Sequence, residues 1–114
     1  MNPMTVGSTG MINSLGAAAL LLEDMELAIE RKVKIYAEVK GYAMNCDGLH
    51  SGDTFDSKEI QRNIEQSLER SKLKPEEIDL VVVQGSGIEE DDKIEAQALE
   101  DTFGTSTPIT GFKG

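Results

Sequence analysis

Asp47, His50, Asp53 and Asp56 recur at intervals of three, an oxygen-rich pattern with one imidazole that would suit a hard metal ion. Gly48, Ser51 and Gly52 lie among them, as in any solvated surface loop, and no metal is expected. His50 is the only histidine, so nucleophilic catalysis within the chain would rest on it with Ser51, and no third group is at hand to orient the pair. Val83-Gln84-Gly85-Ser86-Gly87 leads from an apolar run toward a helix, as phosphate-cradling turns do. Glu89, Glu90, Asp91 and Asp92 then crowd the helix start, where they suit its dipole and repel a phosphate. The third glycine of a dinucleotide fingerprint is missing, so no nucleotide cofactor is expected. Gly85 and Gly87 could lend backbone donors to an oxyanion, although turns use glycine mostly for its positive φ.

Glu95 is the remaining chemical anomaly. At ~100° per residue, Lys93, Gln97, Glu100 and Asp101 share the expected solvent arc of a helix over 92–103. Ile94, Ala96, Ala98, Leu99 and Phe103 form the apolar arc, with Glu95 near its centre and Thr102 beside it. Burying this carboxylate ionised and unpaired would cost several kcal/mol. Two readings stay open. Glu95 completes a capping box by reaching back to the Asp92 amide. Otherwise it is protonated, bonded to backbone donors or paired with a cation, for which Lys113 is the candidate, and lines a site.

The elements that must position these residues follow from periodicity. Residues 1–15 are rich in Gly, Ser, Asn and Met without a period and read as an irregular opening segment. The run from Gly16 to Glu23 predicts a buried strand over 17–23, feeding a short helix over 24–31. Ile35, Ala37, Val39, Gly41 and Ala43 alternate with Tyr36, Glu38, Lys40 and Tyr42, which predicts a half-buried strand over 34–44. Asp56 with Glu59 offers a capping box for a helix over 57–71, with Ile60, Ile64 and Leu68 on one stripe and an end near Lys72, before Pro75. The β-branched run over 79–84 predicts a strand covered on both faces. Asp92 and Glu95 open the helix over 92–103, Gly104 ends it, and a last strand is expected over 108–112. This alternation argues for an α/β layer with a partly parallel sheet.

The bulk properties narrow the partners. A 114-residue chain fits one small domain. With 21 acidic against 11 basic residues, the net charge of -10 excludes nucleic acid, since Arg31, Lys32 and Lys34 are the only basic concentration. The single cysteine, Cys46, excludes an internal disulfide framework and points to a reducing cytoplasm. The apolar run from Gly16 to Leu22 is too short to span a bilayer and has no basic residues before it, so neither export signal nor membrane anchor is expected.

The order of segments resembles the β-ketoacyl-acyl-carrier-protein synthases of the thiolase fold. Gly16-Ala-Ala-Ala-Leu-Leu-Leu-Glu23 is similar to that family's glycine-led strand ending in Leu-Glu. Ile35-Tyr-Ala-Glu-Val-Lys-Gly-Tyr42 is similar to the strand opening its second half, Asp47-Gly-Leu-His50 to the loop after it, and Leu73-Lys-Pro-Glu-Glu-Ile-Asp79 to the stretch before the next strand. Gln84-Gly-Ser-Gly-Ile-Glu-Glu-Asp-Asp-Lys-Ile-Glu-Ala-Gln-Ala-Leu99 aligns without gaps on the segment that begins His-Gly-Thr and continues to Asp-x-x-Glu-Ala, with Asp92 and Glu95 matching. Pro108-Ile-Thr-Gly-Phe-Lys-Gly114 resembles the approach to the Thr-Lys-Ser motif, with Lys113 in the lysine position.

The resemblance implies a partial thiolase-like fold over 1–114, with 16–32 ending the N-terminal half and 33–114 starting the C-terminal half. It places Gln84, Gly85, Asp92, Glu95, Lys113 and His50 around the site. Gln84 stands where the family has its first catalytic histidine, which helps decarboxylate the malonyl unit, and a carboxamide supplies no titratable proton at neutral pH. The nucleophilic cysteine and second histidine of the family would lie outside 1–114, and Cys46 matches no catalytic position. The Gln84 substitution is like the chain-length factor, the noncatalytic partner of the ketosynthase in type II polyketide synthases. No catalytic residue and no cofactor are therefore expected. The implied partners are a ketosynthase subunit and an acyl carrier protein, with a homo-oligomer or a complementing chain also expected, because part of a fold exposes surfaces that the rest would cover. Two alternatives remain: a shortened form of an active synthase performing decarboxylative Claisen condensation, and a small acidic protein-interaction module.

Overall fold

A computed structural model describes residues 4–7, 10, 15–46 and 56–112. Helix α1 (Met25–Glu30) starts where the Asp24 carboxylate accepts from the amides of Glu26 at 2.9 Å and Leu27 at 3.4 Å. Helix α2 (Ser57–Ser71) starts on Asp56, whose Oδ1 accepts from the Lys58 amide at 3.0 Å. It ends in a left-handed Lys72, φ 56°, and Leu73 N donates back to Leu68 O at 3.1 Å. Both helices occupy the expected spans. The reciprocal arm of the α2 box is absent, because Glu59 faces Arg62 and Asn45 instead.

After a 3-10 helix (Pro75–Glu77), strand β1 (Val81–Val82) runs into α3 (Glu89–Phe103) and returns as β2 (Ile109–Thr110). The strands pair in parallel with Val81 opposite Ile109 and Val82 opposite Thr110, so α3 is the crossover of a βαβ unit. Val83 N extends the ladder to Thr110 O at 2.9 Å. Helix α2 packs against α3, and among the described residues the buried apolar ones are Ala28, Leu68, Val83, Ala98 and Leu99. This is a small core. Among the described residues no helix is long and apolar enough to cross a membrane.

Four expectations are corrected. Residues 17–23 do not form a strand: no described neighbour pairs with them, and Leu20, Leu21 and Leu22 are exposed. Residues 34–44 likewise form no strand among the described residues, because a sheet needs a second strand whatever the alternation of the first. The strands expected over 79–84 and 108–112 shrink to two paired residues each. Helix α3 begins at Glu89, three residues before the expected start, and Ala96 is exposed rather than on the covered arc. Its solvent face of Lys93, Gln97, Glu100 and Asp101 is as expected.

The 33–44 segment is held to α2 at Gly41. A Cβ there would lie 2.8 Å from Ser71 N and 2.9 Å from Ser67 O, backbone atoms of a hydrogen-bonded helix that cannot step aside cheaply. Arg70 secures the same junction, its Nη1 donating to Tyr42 O at 2.9 Å. Gly41→Ala is therefore expected to destabilise the chain by about 1–3 kcal/mol through overpacking, read as a fall in the urea midpoint. An unchanged midpoint would show that the segment is not packed on α2 in solution.

Candidate functional site

The chain between β1 and α3 makes a tight turn, Gln84-Gly85-Ser86-Gly87, in which Gly85 at φ 51° and Gly87 at φ 78° take the left-handed backbone that a side chain resists. Gly85, Ser86 and Gly87 are buried. Two carboxylates from α3 fasten the turn. Glu95, the seventh residue of the helix and half-buried, accepts from Gln84 N at 2.8 Å through Oε1 and from Gly85 N at 3.0 Å through Oε2. Asp92, 5% exposed, accepts from Ser86 Oγ at 3.1 Å and from Gly87 N at 3.3 Å.

The capping-box reading of Glu95 is thereby corrected. The Asp92 amide donates to Ile88 O at 2.9 Å as an ordinary helical bond, and the Glu95 carboxylate points to the strand end instead of the helix start. Of the options weighed from sequence, bonding to backbone donors is the one the structure shows. Asp92 also does not stand outside the helix as its cap. Ile88 holds that position without a side-chain bond, and Ser86 Oγ accepts the Ile88 amide at 3.0 Å in its place.

Asp92 reaches further. Its Oδ2 accepts from Met4 N at 2.7 Å, while Gly7 N donates to Glu89 at 3.3 Å and Gly10 N to Gly87 O at 2.9 Å. Met4, Gly7 and Gly10 thus lie across the start of α3 and the turn before it. Burial alone would raise the Asp92 pKa, but the donors Met4, Ser86 and Gly87 outweigh it and hold the carboxyl below its ordinary value. At the exposed rim, Lys93 bonds Glu89 at 2.7 Å, which lowers the Glu89 pKa and raises that of Lys93.

In front of the turn lies an open cleft of about 510 Å³ between α2 and α3. Gln84, Asp92 and Glu95 line it together with Ser86, Ile94 and, from the α2 side, Asn45, Cys46, Asn63 and Ile64. Asn63 Nδ2 donates to Asn45 Oδ1 at 2.7 Å, and Asn45 Nδ2 to Glu59 O at 2.8 Å, so this wall is an ordered pair of carboxamides. Sequence reasoning missed Asn45 and Asn63, since an asparagine at the end of an alternating run and another in mid-helix carry no motif. His50 and Lys113 lie outside the described residues, as do Asp47, Ser51 and Asp53, so no contact is ascribed to them. Among the described residues no group of His, Cys, Asp and Glu is arranged to hold a metal ion.

Chemically, the two inner carboxylates of the cleft serve as hydrogen-bond acceptors of the fold. Both oxygens of Glu95 and of Asp92 are engaged by donors of the fold. The Gln84 side chain is exposed and makes no hydrogen bond to the described residues, so its amide can donate to an incoming oxygen and its carbonyl can accept.

Comparison with known proteins bears on what this cleft belongs to. Residues 36–113 match the family model described as beta-ketoacyl synthase, C-terminal domain. The chain is 31% identical over 114 residues to a putative polyketide beta-ketoacyl synthase 1 of Streptomyces virginiae, covering 97% of this chain and 27% of that protein. It superposes on the ishigamide ketosynthase/chain length factor with a TM-score of 0.89 at 33% identity, covering 97% of this chain and 28% of that one. A second solved structure, the AntDE:AntF complex of a type II polyketide synthase acyl-carrier protein with its ketosynthase bound to the hexaketide, gives a TM-score of 0.70 at 29% identity over 78% of this chain and 23% of that one. The chain thus spans about a quarter of the length of the relatives it matches. With a family match over most of its length and a fold shared with ketosynthases, the chain belongs to the β-ketoacyl synthase family, its residues 36–113 lying in the C-terminal domain.

Proposed function

We propose that this chain serves as a noncatalytic, chain-length-factor-type portion of a ketosynthase assembly in polyketide or fatty-acid biosynthesis. One observation carries the reading. At the position that resembles the family's first histidine, the exposed side chain facing the cleft is the carboxamide of Gln84, and its two neighbouring carboxylates are both committed to holding the turn. At position 84 the scaffold carries a carboxamide, which has no titratable proton near neutral pH. Under this reading Gln84, Gly85, Asp92, Glu95, His50 and Lys113 surround an acyl path rather than a decarboxylation centre. Residues 16–32 close the N-terminal half of the fold, and 33–114 open the C-terminal half. The start of the family match at residue 36 supports that division. The similarity to a ketosynthase solved with its acyl carrier protein supports a ketosynthase subunit and an acyl carrier protein as partners.

The purified chain, incubated with malonyl carrier protein carrying a labelled carboxyl group, is expected to release no labelled carbon dioxide above a protein-free control. Release that disappears in Gln84→Ala would overturn the noncatalytic reading. The partner half of the reading is tested by co-purification. Retention of a type II ketosynthase or an acyl carrier protein is expected, and failure to retain either would sink it.

A further inference from the structure

The bonds that fasten Met4, Gly7 and Gly10 to the site all come from main-chain amides: Met4 N to Asp92 Oδ2 at 2.7 Å, Gly7 N to Glu89 Oε2 at 3.3 Å and Gly10 N to Gly87 O at 2.9 Å. Two of the three acceptors are carboxylates, so the grip is electrostatic. Apolar burial adds little to it, since Val6 is 95% exposed.

Met4 is also held at a cost. Its φ is 60°, the left-handed region in which a Cβ crowds the backbone. Lys32 and Lys72 share that conformation, but each closes a helix and donates back into it, to Ile29 O and to Glu69 O, both at 3.0 Å. At Met4 the compensating bond goes to Asp92, on another element. Opening it lets the residue relax to negative φ.

Asp92 is shared between two tasks. Its Oδ2 takes Met4 N, its Oδ1 takes Ser86 Oγ at 3.1 Å, and Gly87 N lies 3.3 Å from both oxygens. Ser86 Oγ in turn accepts from Ile88 N at 3.0 Å. A continuous hydrogen-bonded path therefore runs from Met4 through Asp92 and Ser86 to the residue that precedes α3. Asp92 lines both the cleft and a second pocket of about 100 Å³, which it shares with Met4, Val6 and Ala96. Gln84 and Gly85 stand off this path, because Glu95 holds their amides.

We infer that residues 4–7 and Gly10 form a releasable strap whose docking sets the half of the turn at Ser86 and Gly87, through Asp92, while Glu95 sets the half at Gln84 and Gly85 separately. The cleft then has a fixed part and an adjustable part in the same wall. Ser86 belongs to the adjustable part. By linkage, whatever fills the cleft against Ser86 alters strap docking by the same factor by which the strap alters its binding. The inference rests on bonds within the chain and not on the noncatalytic reading, and would stand even if the chain released carbon dioxide.

The test reads amide hydrogen exchange by NMR in two full-length variants. Met4→Pro removes the N–H given to Asp92 and cannot take φ 60°, so the strap is released. Exchange at Gly87 and Ile88 is expected to quicken by about tenfold, with Gln84, Gly85 and the amides of α2 at their parent rates. Met4→Gly keeps the N–H and takes the left-handed backbone without a Cβ, so the same two amides are expected to slow by about threefold. Parent rates at Gly87 and Ile88 in Met4→Pro would overturn the inference, because docking would not reach the turn. Equal acceleration at Gln84 and Gly85 would overturn it too, since the turn would move as one piece. Should Met4→Pro fail to fold, Met4→Gly decides alone, and unchanged or faster exchange at Gly87 and Ile88 would sink the strap.

Discussion

Replacing Asp92 with alanine is expected to lower folding stability by about 3 kcal/mol, seen as a shifted urea midpoint with an unchanged slope. The carboxylate is 5% exposed and serves donors from three places in the chain: Met4 N at 2.7 Å, Ser86 Oγ at 3.1 Å and Gly87 N at 3.3 Å. Alanine leaves the last two buried without an acceptor, and that lost desolvation compensation dominates the cost. Asp92→Asn keeps one acceptor oxygen but turns an NH2 toward donors, so it is expected to recover only part of the loss.

Acid titration gives the same residue a second signature. Its folded pKa is held below the ordinary 3.8, so the folded state favours the ionised form. The resulting stability is fully present above the unfolded value, near 3.8, and is lost as pH falls through the lower folded value. The parent chain should therefore lose stability more steeply than Asp92→Ala on acidification below about pH 4, and equal slopes would remove Asp92 from the account.

Glu95→Ala is the second large effect, about 2–3 kcal/mol, because two charge-assisted bonds to Gln84 N and Gly85 N are lost together. Exchange of those two amides should accelerate in the variant, while the Asp92 amide, bonded to Ile88 O, keeps its parent rate. Acceleration at Asp92 alone would restore the capping-box reading. Gln84→Ala removes a side chain that contacts none of these donors and should leave both amide rates unchanged.

Local signals made the helices legible. Asp24, Asp56 and Gly104 act where their residue types say they should, since a short side-chain acceptor or a glycine at a helix end works through neighbours one to four residues away. Helix α3 shows the limit of such signals. Asp-x-x-Glu fits an N-terminal box, yet Asp92 and Glu95 both reach backward to a glycine turn whose return toward the helix is a tertiary fact. The inward placement of Glu95 was legible from the helical arc, its partners were not. The strands failed for another reason. Alternation over 34–44 and the apolar run over 17–23 report what covers a strand, whereas being a strand depends on a hydrogen-bonded neighbour, and none is present among the described residues. In the cleft, Gln84 could be found by resemblance, while Asn45 and Asn63 became visible only when α2 and the end of the 33–46 segment met.

Glu95 grips the main chain of Gln84, not its side chain, and that division has a consequence for how this family changes over time. The amide at position 84 is held in the same way whatever residue stands there, so a histidine and a glutamine are interchangeable as far as the turn is concerned. The side chain at position 84 can therefore change in a single substitution without first weakening the turn.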